Sequence, residues 1–119
     1  MCSMTSQGSP YQRFRRALAT GNPTIVRAAA AELPRIGIAE AAAILLVLER
    51  ADPEHYERAA LRWLTMLTSE ARNIDLHGVA EAALALAALP AEPGALGALA
   101  EVCSGAGLAE AAAVFRPPS

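Results

Sequence analysis

The side chains of this chain that could do chemistry are two histidines, two cysteines and a group of arginines. His55 and His77 could bind a metal ion or act as general bases. A protein metal site usually needs three or four ligands at characteristic spacing, such as HExxH or paired CxxC motifs. Each histidine stands alone in its own segment. We therefore interpret both as ordinary first-turn helix residues and predict neither a metal site nor a catalytic one.

The cysteines point to the same conclusion. Cys103 falls on the apolar face of a predicted helix, where burial raises the pKa of a thiol and makes it unreactive. Cys2 and Cys103 form no disulfide framework, which favours reduced thiols in a cytoplasm. The sequence has no GxSxG or GxGxxG motif, and without lysine it can supply neither a Schiff base nor a phosphate-loop lysine. We predict no catalytic residue, no cofactor and no enzymatic activity.

Arginine supplies all ten basic residues, and four arginines in the first two predicted helices are the candidate partner-binding residues. A basic patch of this kind could contact nucleic-acid phosphates, a protein surface or the chain's own acidic residues. The protein as a whole is acidic, with a pI of about 5.6, and no helix offers base-reading Asn or Gln. A solvated or acid-paired face therefore ranks above nucleic-acid binding. The four residues are Arg13, Arg15, Arg16 and Arg27.

Charge is also distributed unevenly along the chain. Residues 1–35 hold five arginines and one acidic residue, whereas residues 73–119 hold one arginine and five acidic residues. Such asymmetry can steer a partner or favour head-to-tail association.

The elements that must position these residues are predicted to be short amphipathic helices. Ser9-Pro10, Asn22-Pro23 and Asp52-Pro53 each resemble an N-cap followed by proline in the first turn, and Asp75 is a further cap. Apolar residues recur at helical spacing between these signals, and no window alternates like a strand. We predict an all-α fold, either a compact bundle or a short α-solenoid, with six to seven helices. Residues 1–9 are expected to be a disordered leader and residues 10–116 a single helical domain.

Aromatic and alanine-rich faces offer surfaces for packing or for binding. Tyr56 and Trp63 lie on one helical stripe, for which core packing is the default and an exposed interface hot spot the alternative. The alanine-rich faces of the third, fifth and sixth helices could equally form a dimer seam.

A weak internal echo runs through the sequence at an offset of 41 residues. Residues 39–42 (AEAA) recur at residues 80–83, with leucines in step at 45/86 and 48/89. Stacked helix pairs of the HEAT or armadillo kind have repeats of about 40 residues, and alanine bias alone can also produce such matches.

Residues 13–23 (RFRRALATGNP) and 58–64 (RAALRWL) resemble segments of uncharacterised short all-helical proteins of high-GC bacteria. That resemblance, with its HEAT-like or armadillo-like character, implies no activity, cofactor or ligand.

Together these patterns predict a cytoplasmic protein-interaction or adaptor module, with a protein partner or a homo-oligomer. The alternative is a nucleic-acid-associated accessory protein that uses the N-terminal arginine patch. The apolar stretches are too short to cross a bilayer, so no membrane association is expected.

Overall fold

A computed structural model describes residues 9–116, which form seven α-helices and no strand. The predicted all-α bundle of six to seven helices is confirmed. The predicted disordered leader lies outside the described residues, except for Ser9. In chain order the helices are α1 (Pro10–Thr20), α2 (Pro23–Ala31), α3 (Ile38–Ala51), α4 (Pro53–Glu70), α5 (Leu76–Ala88), α6 (Ala95–Gly105) and α7 (Ala109–Phe115).

Most of the helix starts are those that the sequence predicts. The side chains of Ser9, Asn22 and Asp75 each accept a hydrogen bond from a backbone N–H in the following turn. Such bonds satisfy amides that have no partner inside the helix. Gly21 ends α1 with φ of 66°, a left-handed conformation that glycine adopts without strain.

Asp52 behaves differently from the other predicted caps. It occupies the N-cap position of α4, but its carboxylate makes no hydrogen bond to the backbone of that helix. It binds the side chains of Arg27 and His55 instead. Hydrogen bonds from charged donors are stronger than those from a neutral amide, which accounts for the preference where the imidazole or guanidinium carries charge.

α3 is the centre of the bundle. It contacts α1, α2, α4 and α7, and consecutive helices from α3 to α7 pack against one another. Because α7 returns to α3, these five helices close into a ring, whereas the repeats of an open solenoid contact only their neighbours. The α1–α2 hairpin packs on the outside of α3. The leucines of the 41-residue echo are buried in both copies, and a true repeat remains a prediction.

Two hydrophobic clusters hold the fold together. The larger fills the ring, and at its centre the rings of Trp63 and Phe115 meet edge to face with centroids 5.3 Å apart. The smaller lies under α1 and α2 and is joined to α3 through Ile44 and Val47. Fully buried alanines such as Ala42 let the helices approach closely. None of the helices in residues 9–116 is long and apolar enough to cross a membrane.

Candidate functional site

The arginines proposed as a binding patch are interleaved with carboxylates. Both Nε and Nη2 of Arg13 donate to Oε1 of Glu32, at 3.1 and 2.9 Å. Nη2 of Arg27 donates to Oδ2 of Asp52 at 3.2 Å. Two of the four candidate arginines therefore form ion pairs between elements of the fold.

The other two candidates are exposed on α1. Arg15 lines a shallow cavity between α1, α3 and α7, together with the carboxylates of Glu40 and Glu110. Arg16 is exposed. Three of the candidate arginines lie on α1 and one on α2, and acidic side chains near them weaken the positive potential that a phosphate backbone would need.

A cluster that could hold a metal ion occurs where α3 meets α4. The ligand atoms of Asp52, Glu54 and His55 lie within 4.8 Å of one another. The hydrogen bond from His55, with the charges of His55 and Arg27, lowers the pKa of Asp52. Because Arg27 and His55 already bind Asp52, a cation there would have to compete with the guanidinium and break the hydrogen bond between Asp52 and His55. His77 is solvent-exposed in the first turn of α5.

The cysteine and the aromatic stripe belong to the core. Cys103 has no solvent exposure, and burial raises its pKa to about 11. The prediction of a buried thiol is confirmed. Because its pKa is so high, little thiolate is present near neutral pH, and the thiol is unreactive. Trp63 and Tyr56 are also buried, and both donate hydrogen bonds to backbone carbonyl oxygens. Core packing of the stripe is therefore confirmed, and neither residue is an exposed hot spot.

An apolar groove with a volume of about 460 Å³ lies between α4 and α5. Leu61 forms part of its α4 wall and remains 58% exposed. Alanines form much of the opposite wall and leave the space between the helices open. We call this surface the α4–α5 groove; it is lined by Glu49, Pro53, Tyr56, Glu57, Ala60, Leu61, Leu64, Ala83, Leu86, Ala87 and Pro90.

Two carboxylates give the α4–α5 groove a negative rim. Glu49 is half-buried and has neither a hydrogen bond nor an ion pair within residues 9–116. Its charge adds to burial, the larger effect, in raising the pKa of Tyr56 to about 12. Glu57 is exposed and likewise has no ion pair in the described part of the chain. None of the described arginines lines the groove.

Glu49 also connects the α4–α5 groove to a second cavity, of about 560 Å³, beside α1 and α3. Glu49 and Pro90 line both cavities. The second cavity is lined by Leu18, Ala19, Gly21, Leu46, Val47, Glu49, Arg50, Leu89, Pro90, Pro93 and Leu96.

Sequence reasoning missed the α4–α5 groove, although the sequence contains a signal for it. Leu61 falls outside the α4 stripe that contains Tyr56 and Trp63, and Leu84 falls outside the buried face of α5. Both are exposed, Leu84 at 71%. Leu61 is the leucine that could have pointed to this surface, because it lines the groove and Leu84 does not.

Comparisons with protein-family models, curated proteins and solved structures found no match to this chain.

Proposed function

We propose that this protein is a non-catalytic protein-interaction module that binds its partner in the α4–α5 groove. The observation that carries the proposal is Leu61, a large apolar side chain that stays exposed on the wall of a concave apolar surface. Exposed apolar surface is costly in water and marks interaction sites when it is concentrated in one place. The partner would cover Leu61 and contact the alanines opposite it.

The distribution of reactive side chains supports binding over catalysis. Catalysis needs a nucleophile or base held within hydrogen-bond reach of a partner at an accessible site. Cys103 is inaccessible, and His55 is hydrogen-bonded to Asp52 on the outside of the α3–α4 junction. The α4–α5 groove itself offers a tyrosine and two carboxylates, and the hydroxyl group of Tyr56 is bound to the backbone. The proposal therefore assigns the protein no enzymatic activity.

Nucleic-acid association remains the alternative function, with less support. Arg13 and Arg27 are neutralised by acidic partners, and Arg15 lies near two carboxylates. Phosphate binding by counterion release depends on positive charge that is free to replace cations. A gel shift at low salt with duplex DNA and single-stranded RNA tests this alternative. Binding that weakens with added salt and is lost in Arg15→Ala/Arg16→Ala would favour it over groove docking.

Cytoplasmic location belongs to the same proposal, and self-association is the alternative to a separate partner. The reduced, deeply buried thiol of Cys103 suits a reducing compartment. A second copy of the chain could also cover exposed leucines such as Leu61 and Leu84. Light scattering after size exclusion distinguishes self-association from binding of a different protein. Self-association through the groove predicts a dimer that Ala87→Arg abolishes.

The test for partner binding uses matched variants on two faces. Ala87 lines the α4–α5 groove, and Ala28 is exposed on α2, so both positions accept a larger side chain without entering the core. Tagged wild-type protein, Ala87→Arg and Ala28→Arg are used to capture proteins from a lysate of the native cells. We expect a partner that wild type and Ala28→Arg retain and Ala87→Arg loses. Equal capture by all three proteins, or no specific capture by wild type, would contradict the proposal.

A further inference from the structure

We infer that the occupant of the α4–α5 groove is an amphipathic helix from another protein, with arginine or lysine beside its apolar stripe. The inference rests on the proposed function and specifies the chemistry of the partner. Three features support it: the helical walls of the groove, the negative charge of its rim, and the packing of the chain's own basic helix, α1, inside its own domain.

The walls of the groove favour a helix over an extended peptide. Both walls are α-helices, whose backbone N–H and C=O groups are largely bonded within the helix. The carbonyl of Leu86, which has no helical donor, is already bound by Tyr56. An extended peptide would therefore bring unpaired backbone groups into an apolar site, whereas a helix satisfies its own.

The dimensions of the groove set the length of that helix. Its lining runs along α4 from Pro53 to Leu64, a span of about 16 Å at the helical rise. A partner helix of about three turns covers this distance. Apolar residues at positions i, i+3, i+4 and i+7 would face Leu61, Leu64 and the alanines.

The rim of the groove selects for positive charge. Glu49 and Glu57 have no ionic partner within residues 9–116, and the described lining includes no arginine to balance them. Both carboxylates lie beside the apolar lining, where a cation on a docked helix could pair with them. A partner with acidic flanks would instead be repelled.

The α1 helix of a second copy of this chain fits the groove poorly. Its most basic helix, α1, carries Arg13, Arg15 and Arg16. The buried apolar residues of that helix, Phe14 and Ala17, already pack against α2 and α3. To enter the groove of another copy, α1 would have to leave its own domain and expose the smaller core. This cost favours a separate protein over α1 of a second copy as the occupant.

Two synthetic helical peptides of about four turns serve as probes. Both carry the same leucine stripe, flanked by arginine in one peptide and by glutamate in the other. Fluorescence anisotropy measures their binding to wild-type protein, to Ala87→Arg, to Glu49→Gln/Glu57→Gln and to Glu81→Gln/Glu101→Gln. The last variant removes two exposed charges on α5 and α6 that do not line the groove. Circular dichroism confirms that each variant is folded.

We expect wild type to bind the arginine peptide about tenfold more tightly than the glutamate peptide, as two partly screened ion pairs allow. The groove variant should lose this preference, and the control variant should keep it. Equal binding of both peptides that Ala87→Arg abolishes would overturn the charge selection and leave groove docking intact. Failure of the arginine peptide to bind, or a preference unchanged in the groove variant, would overturn the inference; the capture experiment would then decide the proposed function separately.

Discussion

The hydroxyl group of Tyr56 donates a hydrogen bond of 2.6 Å to the backbone carbonyl oxygen of Leu86. In a continuing helix that oxygen would accept from the N–H four residues on, but the residue there is Pro90, which has no N–H. Tyr56 therefore supplies from α4 the donor that the end of α5 lacks. The bond also ties together the two walls of the α4–α5 groove.

Replacing this tyrosine with phenylalanine should destabilise the fold. Tyr56→Phe keeps the ring but leaves the Leu86 carbonyl without its donor in a buried setting. We expect the free energy of unfolding in urea to fall by about 1–3 kcal/mol. Tyr11→Phe is the matched control, because the ring of Tyr11 is 40% exposed and the same substitution there should change stability little. Equal effects at the two positions would show that the bond to Leu86 adds no stability.

Alkaline pH should destabilise the protein in two overlapping ranges. Burial raises the pKa of Cys103 from 9.0 to about 11, and burial with the charge of Glu49 raises that of Tyr56 from 10.0 to about 12. Above pH 9 the unfolded chain begins to lose these protons while the folded chain keeps them. The free energy of unfolding therefore falls as the pH rises. Stability from both groups is therefore complete below pH 9 and falls as pH rises towards 12.

Urea unfolding at a series of pH values checks this expectation. The proteins are compared by the slope of the free energy of unfolding against pH, not by its absolute value. Cys103→Ala should flatten the decline between pH 9 and 11, and Tyr56→Phe the decline between pH 10 and 12. Cys2 is present in all of the proteins compared, so it does not affect the difference. A decline in Cys103→Ala as steep as in wild type would mean that the thiol ionises as readily in the folded chain as in the unfolded one.

Close helix packing makes the buried alanines intolerant of larger side chains. Ala82 on α5 has no solvent exposure, whereas Ala80 on the same helix is exposed. Ala82→Leu should therefore force the surrounding helices apart and cost about 1–3 kcal/mol in thermal or urea unfolding. Ala80→Leu should stay within about 0.5 kcal/mol of wild type. A neutral Ala82→Leu would mean that the ring of helices is looser than its buried alanines imply.

The sequence predicts the helices well because their signals are local. Asn22 followed by Pro23, and Asp75 before α5, begin helices through bonds within one turn, and periodic apolar residues identify the inward faces. Asp52 shows the limit of such reasoning. Its carboxylate binds Arg27 from α2 as well as His55, and a contact across 25 residues cannot be inferred from local spacing.

The candidate site was harder to predict because it depends on which helices become neighbours. Glu49, Leu61 and Ala87 come from three different helices, and no short motif connects them. Leu61 was the one local clue, as an apolar residue outside its core stripe. The clustering of the arginines in sequence predicted a binding patch. Glu32 and Asp52, the acids that bind two of them, could be located only in the folded chain.

Photo-cross-linking inside the native cells tests the central claim most directly, because it reports what touches the groove. A benzoylphenylalanine placed at Ala87 lies in the α4–α5 groove, and one placed at Ala28 lies on α2. Illumination should join position 87, and not position 28, to a single different protein through a basic amphipathic helix identified by mass spectrometry. No cross-link at position 87, or the same products from both positions, would contradict the account.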